Sequence, residues 1–338
     1  MLKFADFMKG INAMLSYIFR RLLYALPLLF AVNVLTFTLF FVVNSPDDMA
    51  RMQLGQKHVT EKAIENWKQQ HGYDKPLLWN AGVSGSDKFT QTIFYSKSVG
   101  LMLFNFGISD SGRNIGADIQ ERSIPSLALA LPTLLIGLAV NVTFALLMVL
   151  FRRTKIEKFG IILCVMLMSI SSLFYIISGQ FLIAKVLKLV PISGYDDGFA
   201  MIKFLILPVV IGVFTGIGSG VRWYQTLFLE EAEKDYVRTA RAKGLTQTQV
   251  LFRHVLPNAM IPILTGVLVI LPLLFMGSLI MESFFSIPGL GSYTIDAINS
   301  QDFAIVRAMV FLGSVLYIFG LLLTDISYTL VDPRVRLN

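Results

Sequence analysis

The sequence predicts an all-helical integral membrane protein with six spanning helices, and three observations carry that expectation. First, the 338 residues are 55% hydrophobic and only 15% charged, with a mean hydropathy of +0.66, too little polar surface for a soluble globule of this length. Second, apolar runs recur at 22–43, 125–151, 159–184, 204–221, 261–281 and 308–323, each about the length needed to cross a hydrocarbon core of about 30 Å. Third, basic residues flank the runs unequally. Sixteen Lys and Arg fall in 1–21, 152–158, 222–260 and 325–338, against three in 185–203 and 282–306. Short basic loops stay in the cytoplasm, so both termini are expected there.

Taken in order, residues 1–21 place Phe4, Phe7, Met8, Ile11, Leu15 and Ile18 at helical spacings beside Lys3 and Lys9, the pattern of an amphipathic segment on the cytoplasmic membrane face. Arg20 and Arg21 abut the first span, 22–43. That run is too long for a signal-peptide core and is followed by NSPDDMA, not a small-residue cleavage site, so an uncleaved span is expected. Residues 44–124 form a polar external segment of roughly 80 residues, with Thr60 capping a helix Glu61–Gln70 that stops at Gly72. The core of five further spans covers 125–324 and includes a polar loop, 222–260; a tail, 325–338, follows.

Several spans carry more than an anchor needs. Gly212, Gly216 and Gly220 form a ridge that admits a close helix neighbour. Ser169, Ser171, Ser172 and Tyr175 place hydroxyls in mid-span, as candidates either for a solute path or for interhelical hydrogen bonds. Pro27, Pro132, Pro208 and Pro272 lie within spans, where neighbours must satisfy the freed carbonyls. No charge lies deep in a run, which argues against coupling to protons or sodium through intramembrane carboxylates.

Other chemistries find no foothold. Cys164 is the one cysteine, and His58, His71 and His254 are far apart, so no metal site is expected. Basic residues are scattered at the ends of apolar runs without interleaved aromatics, which argues against nucleic acid. Asp47/Asp48 and Asp196/Asp197 are adjacent pairs in turns with no His or Ser partner, so no catalytic cluster is visible. No GxxxxGK[ST] loop is present either. If the protein is a pump, another subunit binds the nucleotide.

The stretch 229–262, LEEAEKDYVRTARAKGLTQTQVLFRHVLPNAMIP, is the longest charged passage in the second half. It reads as a helix over Thr226–Lys243, Gly244 just past its end, and a capping box of Thr246 and Gln249 opening a second helix that stops before Pro257. Glu230, Glu231 and Glu233 meet the positive end of the first helix, and Arg238, Arg241 and Lys243 its negative end. Tyr236, Val237, Ala240 and Gly244 form an apolar, small-residue stripe suited to a partner's surface.

This stretch resembles the EAA loop of ABC importer permeases, a Glu-Ala-Ala-x3-Gly-x9-Ile-x-Leu-Pro pattern. Gly244, Ala240 and Leu256-Pro257 match it, while Arg238, Thr239 and His254 depart from the generic residues. DYVRTARAKGL and RHVLPNAMIP look like the dipeptide/oligopeptide B-type branch. FRRLLYALPLLF, HGYDKPL, FNFGIS, ERSIPSLALAL, ESFFSIPGLGSYTIDAI and DISYTLVDPRVR follow in order along nearly the whole chain. NSPDDMA and SISSLFYI depart from the family's usual proline-containing motifs, which bears on substrate identity.

The resemblance implies the type I importer permease fold in a bacterial inner membrane, in a subunit that carries di- or oligopeptides inward from the periplasm. It implies a second homologous permease, two cytoplasmic ABC ATPases that bind the ATP and Mg, and a periplasmic solute-binding protein. This chain would hold no cofactor and would not itself be an enzyme. Carried onto matching positions, the ATPase-coupling residues would be Glu231, Asp235, Tyr236, Val237, Arg238, Ala240, Gly244, Leu256 and Pro257. Pro288, Gly289 and Gly291 would belong to a scoop-like external gate loop. Nickel, sugars or antimicrobial peptides are alternative solutes for the same fold, and an integral-membrane enzyme is the alternative class.

Overall fold

The computed structural model describes residues 2–55 and 59–331, and these are helical apart from turns and one isolated bridge, Ile108 to Asn114. Among the described residues five helical stretches are long and apolar enough to span a membrane: Phe19–Val43, Ile115–Leu150, Gly198–Ala232, Gln247–Met276 and Phe303–Ile326. A sixth would be the pair Lys155–Ser169 and Ser172–Val186, which bends by 87° at its break.

The helices outrun their apolar runs. The expected amphipathic segment and first span form one helix, Leu2–Phe37, ending in a π-helical turn, Thr38–Val43. The second span begins ten residues before Pro125, and the last continues through Val331; the rest of the expected tail, 332–338, lies outside the described residues. The reason is that hydropathy marks only the part of a helix that must meet lipid, while its polar ends extend beyond the hydrocarbon.

The chain divides into two compact units, one built on 1–122 and 293–322, the other largely on 123–292. In the first, NSPDDMA folds as a helix start. Ser45 and Asp48 make a reciprocal capping box around Pro46, and the helix runs Pro46–Leu54. The helix Glu61–His71 stops at left-handed Gly72 as expected, although Thr60, at the cap position, makes no side-chain cap bond. Aromatic rings fill the core: Phe37 meets Phe94 edge-on at 5.0 Å, and Phe41, Trp67 and Tyr73 pack beside them. Asn33, buried in the first helix, donates to the Ser98 carbonyl at 2.7 Å.

In the second unit the helix Ile202–Ala232 is the central piece, and glycine decides its neighbours. A Cβ at Gly212 would lie 2.7 Å from Thr133 Cγ2, and one at Gly220 would collide with Asn141. Both contacts advance by eight residues in the same direction, so these two helices run parallel. Gly216, expected to share the ridge, meets nothing within 4 Å. Gly218 takes its place on another face, where a Cβ would come 2.6 Å from the Cys164 carbonyl oxygen. At 100° per residue Gly218 lies about 240° round the helix from Gly212, so it meets a different neighbour, while Gly216 lies between Gly212 and Gly220 in direction and still faces open space.

Gly218→Ala is therefore expected to destabilise the second unit by about 1–3 kcal/mol, since backbone must move to admit the methyl. Gly216→Ala should be near neutral or slightly stabilising. Thermal unfolding of the two variants in detergent measures the difference, and equal effects would contradict the packing.

Candidate functional site

The polar loop is a folded elbow, differing from the sequence reading at both limbs. The spanning helix Ile202–Ala232 ends at Glu233, and a separate helix, Asp235–Ala242, follows after extended Lys234. The break divides what periodicity makes a single helix, because the buried Glu231 carboxylate captures the next residues: it accepts from Lys234 Nζ at 2.6 Å and from the Tyr236 hydroxyl. Gly244 then takes φ +83°. Thr246 and Gln249 form the expected capping box, with bonds of 3.0 and 3.3 Å. The second limb does not stop before Pro257. It passes through a π-helical turn, Leu251–Val255, into Leu256–Ile270. The widened turn re-pairs the carbonyls that a proline ring would otherwise crowd.

The stripe of small and apolar residues is divided. Val237 is fully buried and Ala240 nearly so, in one core cluster with Phe228, Val250, Leu251 and Val255, so these two hold the elbow helix onto its own chain. Leu256 packs against the same cluster. Tyr236 keeps an exposed edge, yet its hydroxyl also receives Asn258 Nδ2 at 3.1 Å and lies 3.3 Å from the His254 carbonyl. Burial, reinforced by the Glu231 hydrogen bond and charge, pushes its pKa up to about 12. What remains outward is Asp235, Arg238, Arg241, Gly244 and Pro257, with Phe252 half exposed on the second limb. Asp235 and Arg238 pair at 3.3 Å on the surface.

The mid-span hydroxyls lie at the sharp bend. Ser169 bonds back to the Val165 carbonyl of its own helix at 2.8 Å, and Tyr175 reaches the Leu167 carbonyl at 3.0 Å, satisfying a group that the broken helix releases. Ser171 occupies the cap position of the next helix and, with Ser172, is exposed.

The segment with Pro288, Gly289 and Gly291 is organised by a residue that sequence reading passed over. Glu282 is fully buried, and its carboxylate accepts from Ser126 Oγ at 2.8 Å, from the Ser278 and Ser292 amides at 3.0 Å each, and from the Gly291 amide. Ser126 in turn accepts from the Leu290 amide at 2.8 Å. Side chains at Gly277 or Gly289 would collide with the carboxylate, and one at Gly291 would strike the Ser278 backbone, so glycine is required by closeness. Burial raises the Glu282 pKa despite these donors. A lone acid ending an apolar run, before Ser and Gly, was the available signal.

In the first unit, acidic groups line an open cavity of about 530 Å³: Asp110, Asp118, Asp296 and Asp302 with Arg113 and Arg122. Arg113 pairs with Asp118 at 2.6 Å, and Tyr293 donates to the same carboxylate at 3.0 Å. Asp302 accepts from the Asp110 amide at 2.9 Å and from the Ile305 amide at 3.2 Å, capping the last long helix. Burial, aided by Asp302, pushes the Asp110 pKa up to about 6, against the pull of His71, Arg307 and Lys97.

These features define a polytopic helical membrane protein whose apolar helices are interrupted, in the second half of the chain, by a folded, capped elbow. Residues 126–337 match the family model of the binding-protein-dependent transport system inner membrane component, and 14–100 match its N-terminal companion model. The chain belongs to that family and is a membrane permease subunit. It is 27% identical over 333 residues to the oligopeptide transport system permease protein AppB of Bacillus subtilis, covering 96% of this chain and 100% of that one. It is 29% identical over 327 residues to the glutathione transport system permease protein GsiC of Shigella flexneri, at 96% and 99% coverage. A putative peptide transport system permease protein of Brucella abortus is 29% identical over 334 residues, again at 96% and 99%.

Two expectations follow. Glu282→Ala should destabilise the protein by about 3 kcal/mol or more, because several buried amide donors lose a charged acceptor at once; Glu282→Gln should restore only part, since its NH2 group opposes a donor. Thermal unfolding of both variants reads this order. For Asp110, the folded pKa of about 6 exceeds the ordinary 3.8, so the folded state holds the extra proton and stability from this group falls as pH rises across that window. Asp110→Asn should flatten that part of a pH–stability profile, and an unchanged slope would contradict it.

Proposed function

We propose that this permease carries peptides or peptide-like solutes inward across a bacterial inner membrane, driven by ATP hydrolysis on partner subunits. Support for the solute class comes from relatives over the whole chain named for oligopeptide, glutathione and peptide transport. The same fold could serve nickel, sugars or antimicrobial peptides, and the solute-binding partner would make much of that selection.

In this reading the bent pair 155–186 counts as one span, giving six, with both termini in the cytoplasm as the basic loops indicate. The parallel course of Ile115–Leu150 and Ile202–Ala232 agrees with such an arrangement, because alternate spans run the same way. Residues 44–124 would lie in the periplasm, 222–260 in the cytoplasm, and a second homologous permease would complete the path. ATP and Mg would be held by two cytoplasmic ATPases, and a periplasmic binding protein would deliver the solute.

The observation that carries the mechanism is the elbow, stitched to the spans on both sides. A partner pressing on Asp235–Ala242 moves Val237 and Ala240, which are packed against the Phe228 and Val255 ends of two spanning helices. ATP-driven closure of the partners is thereby turned into displacement of the spans, and the two access states differ in which one the closed partners favour. Glu231, Val237, Ala240 and Leu256 act as internal struts in this scheme, while Asp235, Arg238, Gly244 and Pro257 meet the ATPase. Tyr236 does both. Pro288, Gly289 and Gly291 would shape the external gate, with Glu282 holding them; Ser169, Ser171, Ser172 and Tyr175 are weaker candidates for the path.

In the reconstituted transporter, Gly244→Ala and Gly244→Asn are both expected to lower ATP-dependent uptake by about tenfold or more, each adding a side chain at the docking face, where nothing within 4 Å now opposes one. Asn tolerates left-handed backbone better than Ala, so failure of Ala alone would point to strain and against docking. Glu233→Lys should change uptake by less than about twofold, because its exposed pair with Arg152 at 3.3 Å contributes little.

A further inference from the structure

The first unit contains a second, smaller cavity whose chemistry is opposite to that of the acidic one. It measures about 90 Å³ and is bounded by Ser96, Lys97, Asn105, Phe106, Gly107 and Arg307, together with apolar side chains. No carboxylate lines it. Arg307 is 4% exposed, and one of its terminal nitrogens, Nη1, has no hydrogen-bond partner. Nε donates to the Phe303 carbonyl at 3.2 Å, and the group lies over the Phe41 ring at 4.6 Å. A buried cation with an unused donor is costly unless something charged or polar completes it.

Lys97 brings a second cation to the same cavity, its Nζ over the Tyr73 ring at 4.9 Å. Burial, with Arg307 nearby, holds the Lys97 pKa below its ordinary value. Asp110 acts on this pair through space but lines the acidic cavity, where its own carboxylate faces Gln53 and His71. Asp302 also acts on Arg307 from the acidic cavity, yet neither carboxylate lines this one, and an anion between the two cations relieves both their repulsion and the orphaned donor.

We propose that this cavity is a binding site for a small monovalent anion, halide- or carboxylate-sized, held by Arg307 and Lys97. The volume corresponds to about three waters at ~30 Å³ each, enough for chloride, bromide or formate and too little for a sugar acid. The bound anion ties the start of the last long helix, which carries Arg307, to the segment 96–107 of the external region. It is a structural ion, and its occupancy sets how firmly that helix end is held.

The test is thermal unfolding of the full chain in lipid nanodiscs at constant ionic strength, in sodium chloride, bromide or formate against sodium gluconate. Melting temperature is expected to climb with the logarithm of small-anion concentration and to stay flat in gluconate. Arg307→Gln should abolish the difference, and Lys97→Gln should weaken the apparent affinity by on the order of tenfold. Anomalous scattering from a bromide-soaked crystal should place a peak in the cavity. An unchanged anion response in Arg307→Gln, or a water without bromide signal at that position, overturns the proposal. Should Arg307→Gln fail to fold, Lys97→Gln and the bromide map decide: an unchanged response in the former or an empty bromide map refutes it.

Discussion

A peptide group without a hydrogen-bond partner is costly in hydrocarbon, and three places where this chain leaves the regular α-helix are built around that constraint. At the sharp bend after Ser169, the freed Leu167 carbonyl is taken by the Tyr175 hydroxyl. Before Pro257 the helix widens to π geometry and keeps its carbonyls paired. Around Gly277–Ser292, where two short helices, Leu279–Phe285 and Leu290–Asn299, are separated by turns, one carboxylate accepts the amides of Ser278, Gly291 and Ser292. The irregular segments are thus as fully specified as the helices, by a few side chains each.

The same economy explains the glycines. Gly289 and Gly291 are needed because the chain passes against Glu282 and against the Ser278 backbone, where no side chain fits. Gly244 is needed for a different reason: its surroundings are empty, but its φ of +83° is one that side chains resist. Glycine marks closeness to its own chain in the first case; in the second it joins a left-handed backbone to an open face.

Buried charge is handled in two contrasting ways. Glu282 is surrounded by donors and leaves neither oxygen idle. Arg307, stacked on Phe41, retains an unused nitrogen beside a cavity. The two lie in different units: Glu282 fastens a helix to the turns around it, and Arg307 packs the start of its helix against Phe41. Charged groups at these points resist sliding, because a displaced helix would leave an uncompensated charge in an apolar setting.

Much of this was legible in the amino acids. Apolar run length fixed the existence of the spans, since hydrocarbon thickness leaves few alternatives, and Gly244 with Thr246 and Gln249 announced the elbow because caps and left-handed turns are local chemistry. The class of solute was suggested only by motif resemblance, as no residue pattern encodes it physically. What the sequence could not settle depends on contacts distant in the chain. Glu282 looks unremarkable beside Met281 until Ser126, 156 residues earlier, is brought to its carboxylate. Val237 and Ala240 read as a free docking stripe until Phe228 and Val255 cover them, and Gly218, not Gly216, makes the close crossing because the neighbouring helix approaches that face. Local rules set which segments are helical; only the tertiary arrangement decides which face of each is spent inside the molecule and which is left for a partner.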